Sequence, residues 1–252
     1  MMDRIALRGK PLRLAVLDYG LFEVHSGPRR IGICGYAIQT DAGEVVLIDT
    51  GFPPKYMADA ESATAEDGLG GFGRILSITS DNTPEAQLAL LGIMPSDVTL
   101  MIQSHTHIDH IGHLDGFPGV PVLIAAAERA LPRPLYWSGG PPMDWPQRDY
   151  SLVTQDMALA PGFEVLLCPG HAPGQLAFMV NLPATGWVLL TSDAISREAE
   201  IAEGFAGSWE MAQAIHHGDR LMRLAQDRQA LVIFGHSPQQ WPTLCKAPEW
   251  FT

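Results

Sequence analysis

A chain of 252 residues that is 46% hydrophobic can form one sizeable core but not two, so a single domain over 1–252 is expected. Sixteen Lys and Arg against 28 Asp and Glu leave a formal charge of −12, which repels a phosphate backbone and argues against nucleic acid as a partner. No apolar run approaches the roughly 18 residues of a membrane span, and LRLAVLDYGLF lacks the length and cleavage site of a signal peptide, so a cytoplasmic protein without membrane contact is expected.

In chain order, Leu12 to Asp18, Ile31 to Gln39 and Glu44 to Asp49 are apolar, β-branched segments, and Asp41-Ala42-Gly43 between the last two predicts a hairpin. The spacing turns helical from Pro84 to Gly92, and Val98 to Gln103 then reads as a strand. The segment 131–150 is rich in Pro, Gly and aromatics and reads as a packed loop, bordering a site or packing on its own domain or a second subunit. Further strands are expected at Val120 to Ile124, Phe163 to Cys168, Leu176 to Leu182, Trp187 to Thr191 and Leu231 to Phe234. Between the last two, Met211, Ala214, Ile215, Gly218, Met222 and Ala225 mark a helix with Ser208 as its candidate N-cap. Short strands with interposed helices define a mixed α/β sandwich. Cys34, Cys168 and Cys245 form no C-x-x-C pair and read as reduced thiols, the first two as small core residues.

Ser104-His105-Thr106-His107-Ile108-Asp109-His110 places four metal-capable side chains within six residues, directly after a predicted strand. Extended backbone sets His105 and His107 on one side, and a turn brings Asp109 and His110 to an adjacent point. Two neighbouring cations explain that division. Imidazole with carboxylate suits Zn²⁺ and related first-row metals, whereas calcium or magnesium would need a mostly oxygen cage.

This H-x-H-x-D-H run resembles the signature of the metallo-β-lactamase superfamily. Asp49-Thr50-Gly51, Pro169-Gly170-His171-Ala172-Pro173-Gly174, Asp193 after WVLLTS and His236 after LVIFG follow in the family's order. The resemblance implies an α/β (α+β) chain folded as an αββα four-layer sandwich that binds two Zn²⁺ per chain. By similarity, His105, His107 and His171 hold one metal, Asp109, His110 and His236 the other, and Asp193 bridges them. Asp49 is expected to orient a ligand histidine rather than to bind metal. His113 reads as a helix-face residue beside the site, and His25, His216 and His217 as surface or core.

Departures within the superfamily narrow the class. Flavodiiron-type members carry Glu where His107 stands, and secreted zinc β-lactamases replace His110 and use a Cys in the second site. Glyoxalase II adds a helical domain for which the residues after His236 leave no room, and RNA-processing members need a basic surface. The ending His236-Ser237-Pro238-Gln239-Gln240-Trp241, running into Lys246-Ala247-Pro248-Glu249-Trp250-Phe251, is similar to that of the N-acyl-homoserine lactonase group. That resemblance implies attack of a metal-bridging hydroxide on a small-molecule lactone, with Asp109 as the catalytic carboxylate that positions or relays a proton, in a monomer or homodimer. The alternative is another intracellular hydrolase of the fold, acting on a different lactone, an ester or a thioester. One departure bears on the substrate: Ser196 stands where the group's carbonyl-binding Tyr is expected. Phe22, Phe72, Phe117, Trp137, Ile201 and Phe205 are candidates for an apolar substrate wall, with core packing the competing reading for each.

Overall fold

The computed structural model describes residues 5–252. Three near-continuous apolar runs open the chain as β1 (Pro11–Val24), β2 (Arg29–Thr40) and β3 (Val45–Ile48), the last two joined through the Asp41–Gly43 turn, where Gly43 has φ +81°. Short helices α1 (Lys55–Ala58) and α2 (Ala60–Glu66) lead to β4 (Gly73–Ser77), and α3 (Pro84–Leu90) precedes β5 (Val98–Gln103). Then come α4 (Ile108–Ile111), β6 (Val122–Ala125), α5 (Ala126–Arg129) and β7 (Tyr150–Val153). The second half supplies β8 (Met157–Ala160), β9 (Phe163–Leu167), β10 (Leu176–Leu182), β11 (Gly186–Leu190), α6 (Ala199–Glu203), α7 (Met211–Asp227) and β12 (Leu231–Ile233).

Two sheets result, in the orders β4-β1-β2-β3-β5-β6-β7 and β12-β11-β10-β9-β8. Leu14, Val16, Ile38, Val46, Ile48 and Leu100 of the first face Val165, Phe178, Val180, Val188 and Leu190 of the second in one buried cluster. Each such side chain contributes about 1.5–3 kcal/mol by leaving water. A second cluster lies between the first sheet and helices α1 to α4, and a third between the second sheet and α7. These layers make the expected αββα sandwich. Burial on both faces explains why the inner strands read as unbroken apolar runs rather than alternating ones.

The structure corrects the helix start. Glu210, not Ser208, caps α7, its side chain accepting from Ala212 N at 3.3 Å. Strands β4, β7 and β8 were not expected from the sequence. Strand β4 joins β1 beyond a bulge at Gly20, where φ is +112° and an added Cβ would lie 2.4 Å from Ser77 O. Only glycine fits there. Cys34 and Cys168 are buried, and burial pushes both thiols up to about 12, so they act as core hydrophobes. No described helix is long and apolar enough to cross a membrane.

Candidate metal centre and substrate cavity

The seven expected ligands converge at one edge of the sandwich. His105 and His107 follow β5, Asp109 and His110 lie on α4, His171 follows β9, Asp193 sits in the turn after β11, and His236 follows β12. Their donor atoms form three groups: His105, His107 and His171; His105, His110 and Asp193; and Asp109, His110 and His236. Within the first, His107 Nδ1 is 3.0 Å from both His105 Nε2 and His171 Nε2. Asp193 faces both ways. Its Oδ2 is 3.4 Å from His171 Nε2, while its Oδ1 is 3.1 Å from His236 Nε2 and 3.6 Å from His110 Nε2. Asp109 Oδ2 closes the other side, 3.4 Å from His236 Nε2 and 3.7 Å from His110 Nε2.

Ligand atoms 2.0–2.1 Å from a tetrahedral metal lie about 3.4 Å apart, and the spacings here bracket that value. Three of the atoms, His110 Nε2, His236 Nε2 and Asp193 Oδ1, are buried without a hydrogen-bond partner. Orphans of this kind cost about 1–3 kcal/mol each unless something else satisfies them, and a cation satisfies all three. The residues fit a metal.

Hydrogen bonds on the far side of the His105, His110 and His236 rings aim their other nitrogens inward. His110 Nδ1 donates to Asp49 Oδ2 at 2.9 Å, and His236 Nδ1 donates to Gly32 O at 2.8 Å. Ser104 Oγ donates to Asp49 Oδ2 at 2.6 Å, which leaves it to accept from His105 Nδ1 at 3.2 Å. Asp49 thus orients a ligand histidine, as expected. Charge divides the centre. Burial keeps His105 and His171 low and holds His107 down to about 3. At His110 burial is outweighed by Asp109, Asp193 and Asp49, which push it up to about 9. At His236 it is outweighed by Asp193 above all, to about 10.

Glu128 escaped the sequence reading. It is fully buried on α5, accepts from Thr106 Oγ1 at 2.5 Å and from Gly174 N at 3.1 Å, and so ties the His105–His107 loop to the His171 loop. The C-terminal motif also proves to be a brace. Gln240 donates to Val232 O at 2.7 Å and accepts from Phe234 N at 3.0 Å, and Trp241 lies so close on Gly32 that a Cβ there would be 1.9 Å from its ring. Both hold His236 in place. His113 donates to Glu85 Oε1 at 2.9 Å beside the site, while His25 and His216 are exposed and His217 is half-buried.

A cavity of about 400 Å³ opens onto His107, Asp109, His171, Asp193 and His236. Of the six proposed wall residues, only Phe72 and Trp137 line it, with ring centroids 5.2 Å apart. Phe22 stacks behind Phe72, Phe117 and Phe205 are buried in core clusters, and Ile201 lies outside the cavity wall on α6. Val24 and Ile31 complete the apolar side. The 131–150 loop borders the cavity at Trp137 alone. Trp145 instead donates to Leu131 O at 2.9 Å and lies 4.7 Å beneath Arg129. Accordingly Trp137→Ala is expected to raise KM several-fold, and Trp145→Ala to leave KM unchanged while lowering Tm. Steady-state kinetics and thermal melts of both variants check this; equal KM effects would place both rings at the substrate.

The layers and the histidine-aspartate centre define a metal-dependent hydrolase of one fold, and the chain belongs to the metallo-beta-lactamase superfamily, whose family model matches residues 35–236. Its relatives with assigned activities include N-acyl homoserine lactonases. It is 30% identical over 224 residues to an N-acyl homoserine lactonase of Bacillus thuringiensis, covering 85% of each chain. To the N-acyl homoserine lactonase AttM of Agrobacterium fabrum it is 32% identical over 184 residues, 66% of this chain and 68% of that one. The structure of a mutant of B. thuringiensis AiiA with N-decanoyl-L-homoserine bound at its active site superposes with a TM-score of 0.83 at 25% identity, covering 96% of this chain and 100% of that one.

Proposed function

We propose that the chain is a dinuclear zinc lactonase that opens N-acyl-homoserine lactones. The division of Asp193 between two groups of histidines carries this reading. One ion would sit among His105, His107 and His171, a second among Asp109, His110 and His236, with Asp193 shared. When bound, two such ions lower the pKa of water from about 15.7 to about 7 and polarise a carbonyl, which supplies the nucleophile and the Lewis acid for ester hydrolysis. The chain's own part is positional. His110 and His236, each held through Nδ1, point Nε2 at the place a metal would take, where the ion would displace the Nε2 proton; Asp109 lies at the cavity and would carry the proton to the departing ring oxygen. Val24, Ile31, Phe72 and Trp137 exclude water from the acyl side. The sequence kinship to curated N-acyl homoserine lactonases supports the substrate class.

The experiment is elemental analysis of protein reconstituted with excess Zn²⁺, followed by a panel of acyl-homoserine lactones, simple lactones, esters and thioesters. Two zinc ions per chain and lactone turnover lost on chelation are expected; one ion, or turnover of thioesters alone, would overturn the assignment.

Ser196 lines the cavity, but its backbone is already committed: its N–H donates to Glu200 Oε2 at 2.6 Å and its carbonyl accepts from His236 N at 2.7 Å. A seryl hydroxyl on this fixed backbone falls short of where a tyrosyl oxygen would reach, and an oxyanion donor must come within about 2.7–3.1 Å. Ser196→Ala is therefore expected to lower kcat/KM less than about tenfold, or under about 1.4 kcal/mol. A hundredfold loss with metal content intact would make the hydroxyl a substrate-binding group.

A further inference from the structure

The cavity lining is of two unlike kinds. Beside the apolar residues Val24, Ile31, Phe72 and Trp137, the lining includes the polar Arg197, Glu200 and Ser208, and Arg29, which pairs with Val24 across β1 and β2. A hydrocarbon tail uses only the apolar residues.

A guanidinium lining a partly enclosed cavity loses some of its water and needs acceptors in exchange. Arg197, the residue after Ser196, is provided for: Glu203 takes both its terminal nitrogens, Nη1 at 2.9 Å, although its Nε is buried without an acceptor. Glu200 gives an oxygen to Ser196 N, and burial raises its carboxyl above the usual range. Arg29 is different. Among the described residues it forms no ion pair within 4.0 Å, and its Nη1 donates only to the carbonyl oxygens of Ser26 and Gly27, at 2.8 and 3.3 Å. Those two bonds anchor the head group at the β1–β2 turn and, among the described residues, leave Nε and Nη2 free to take an acceptor from a ligand. Burial first, and then the charge of Arg197, pull its pKa below the ordinary value, only partly offset by the more distant carboxylates of Glu200 and Glu203.

We propose that Arg29, seconded by Arg197, is a subsite for an anionic group carried by the substrate away from its ester, so that the preferred lactone has an acyl tail ending in a carboxylate. The inference rests on the lactonase reading above. The ligand cluster takes the ester, the apolar wall takes the methylenes, and the guanidinium takes the acid. A charge-assisted pair between Arg and carboxylate is about twice as strong as a neutral hydrogen bond.

The test uses the metal-loaded protein on two series of acyl-homoserine lactones of matched tail length, one ending in methyl and the other in carboxylate. Calorimetry with the corresponding ring-opened acids runs beside it. We expect kcat/KM to be at least about tenfold higher for the acid tails, with a ratio that shrinks as salt is added. The ratio should fall to near one in Arg29→Met and to an intermediate value in Arg29→Lys, which keeps the charge but loses the fork. A parent enzyme indifferent to the tail, or an Arg29→Met variant that keeps the ratio, overturns the subsite. Turnover of neither series overturns the lactonase reading instead. The subsite then stands or falls by calorimetry: tighter binding of acid-tailed compounds that Arg29→Met abolishes sustains it, and equal binding of the two series refutes it.

Discussion

Asp193→Ala is expected to lower kcat/KM at least about a thousandfold, equivalent to about 4 kcal/mol of transition-state stabilisation. The reason is electrostatic. Asp193 is the carboxylate that reaches His171 through one oxygen and His110 and His236 through the other. Opposite unit charges about 4 Å apart attract by about 4 kcal/mol at an effective dielectric near 20, and a divalent ion doubles that. Alanine removes the attraction and leaves three imidazoles around an unneutralised cation. Metal content should fall together with activity, measured by elemental analysis of protein purified in parallel with the parent. A variant that keeps full metal and full turnover would remove Asp193 from the centre.

A change at Asp49 should act through metal affinity rather than through substrate contact. Its four bonds, to Ser104 N, Ser104 Oγ, Gln103 Nε2 and His110 Nδ1, are all buried. Asp49→Ala would orphan those donors, at about 1–3 kcal/mol each. It would also place alanine at a backbone with φ +61°, which costs roughly 1–2 kcal/mol. Asp49→Asn is the sharper experiment. Asparagine tolerates that backbone, and its oxygen can still serve Ser104 N and Gln103, but its NH₂ then faces His110 Nδ1. The imidazole must turn its proton to Nε2, the atom aimed at the metal. We expect Asp49→Asn to keep Tm within a few degrees while weakening metal binding about 10- to 100-fold, read by competition with a chromogenic chelator. Unaltered affinity would show that the tautomer of His110 is set elsewhere.

The inner strands and the candidate ligands were legible in the sequence for one reason, that both signals are local. Strands β5 and β10 were read with their bounds because all but one side chain in each is buried. The three missed strands, β4, β7 and β8, are all at sheet edges. An edge strand packs on one side only, and Tyr150–Val153, with Leu152 39% exposed, shows neither an apolar run nor alternation. Four ligands in six residues leave little else to infer, but Glu128 and Arg29 lie far from them in sequence and reach the site only through the topology. The aromatic wall failed for the same reason. Composition cannot tell Phe72, which lines the cavity, from Phe117, which fills the core.

Glu128 bears on how fast the centre would exchange a bound metal. Because one buried carboxylate grips Thr106 and Gly174 at once, and Thr106 Oγ1 also accepts from Leu135 N at 3.0 Å, neither ligand loop can swing out alone. An ion held among His105, His107 and His171 would then leave only when α5 releases both loops together, and its lifetime would follow the frequency of that local opening of the scaffold rather than the strength of one coordinate bond.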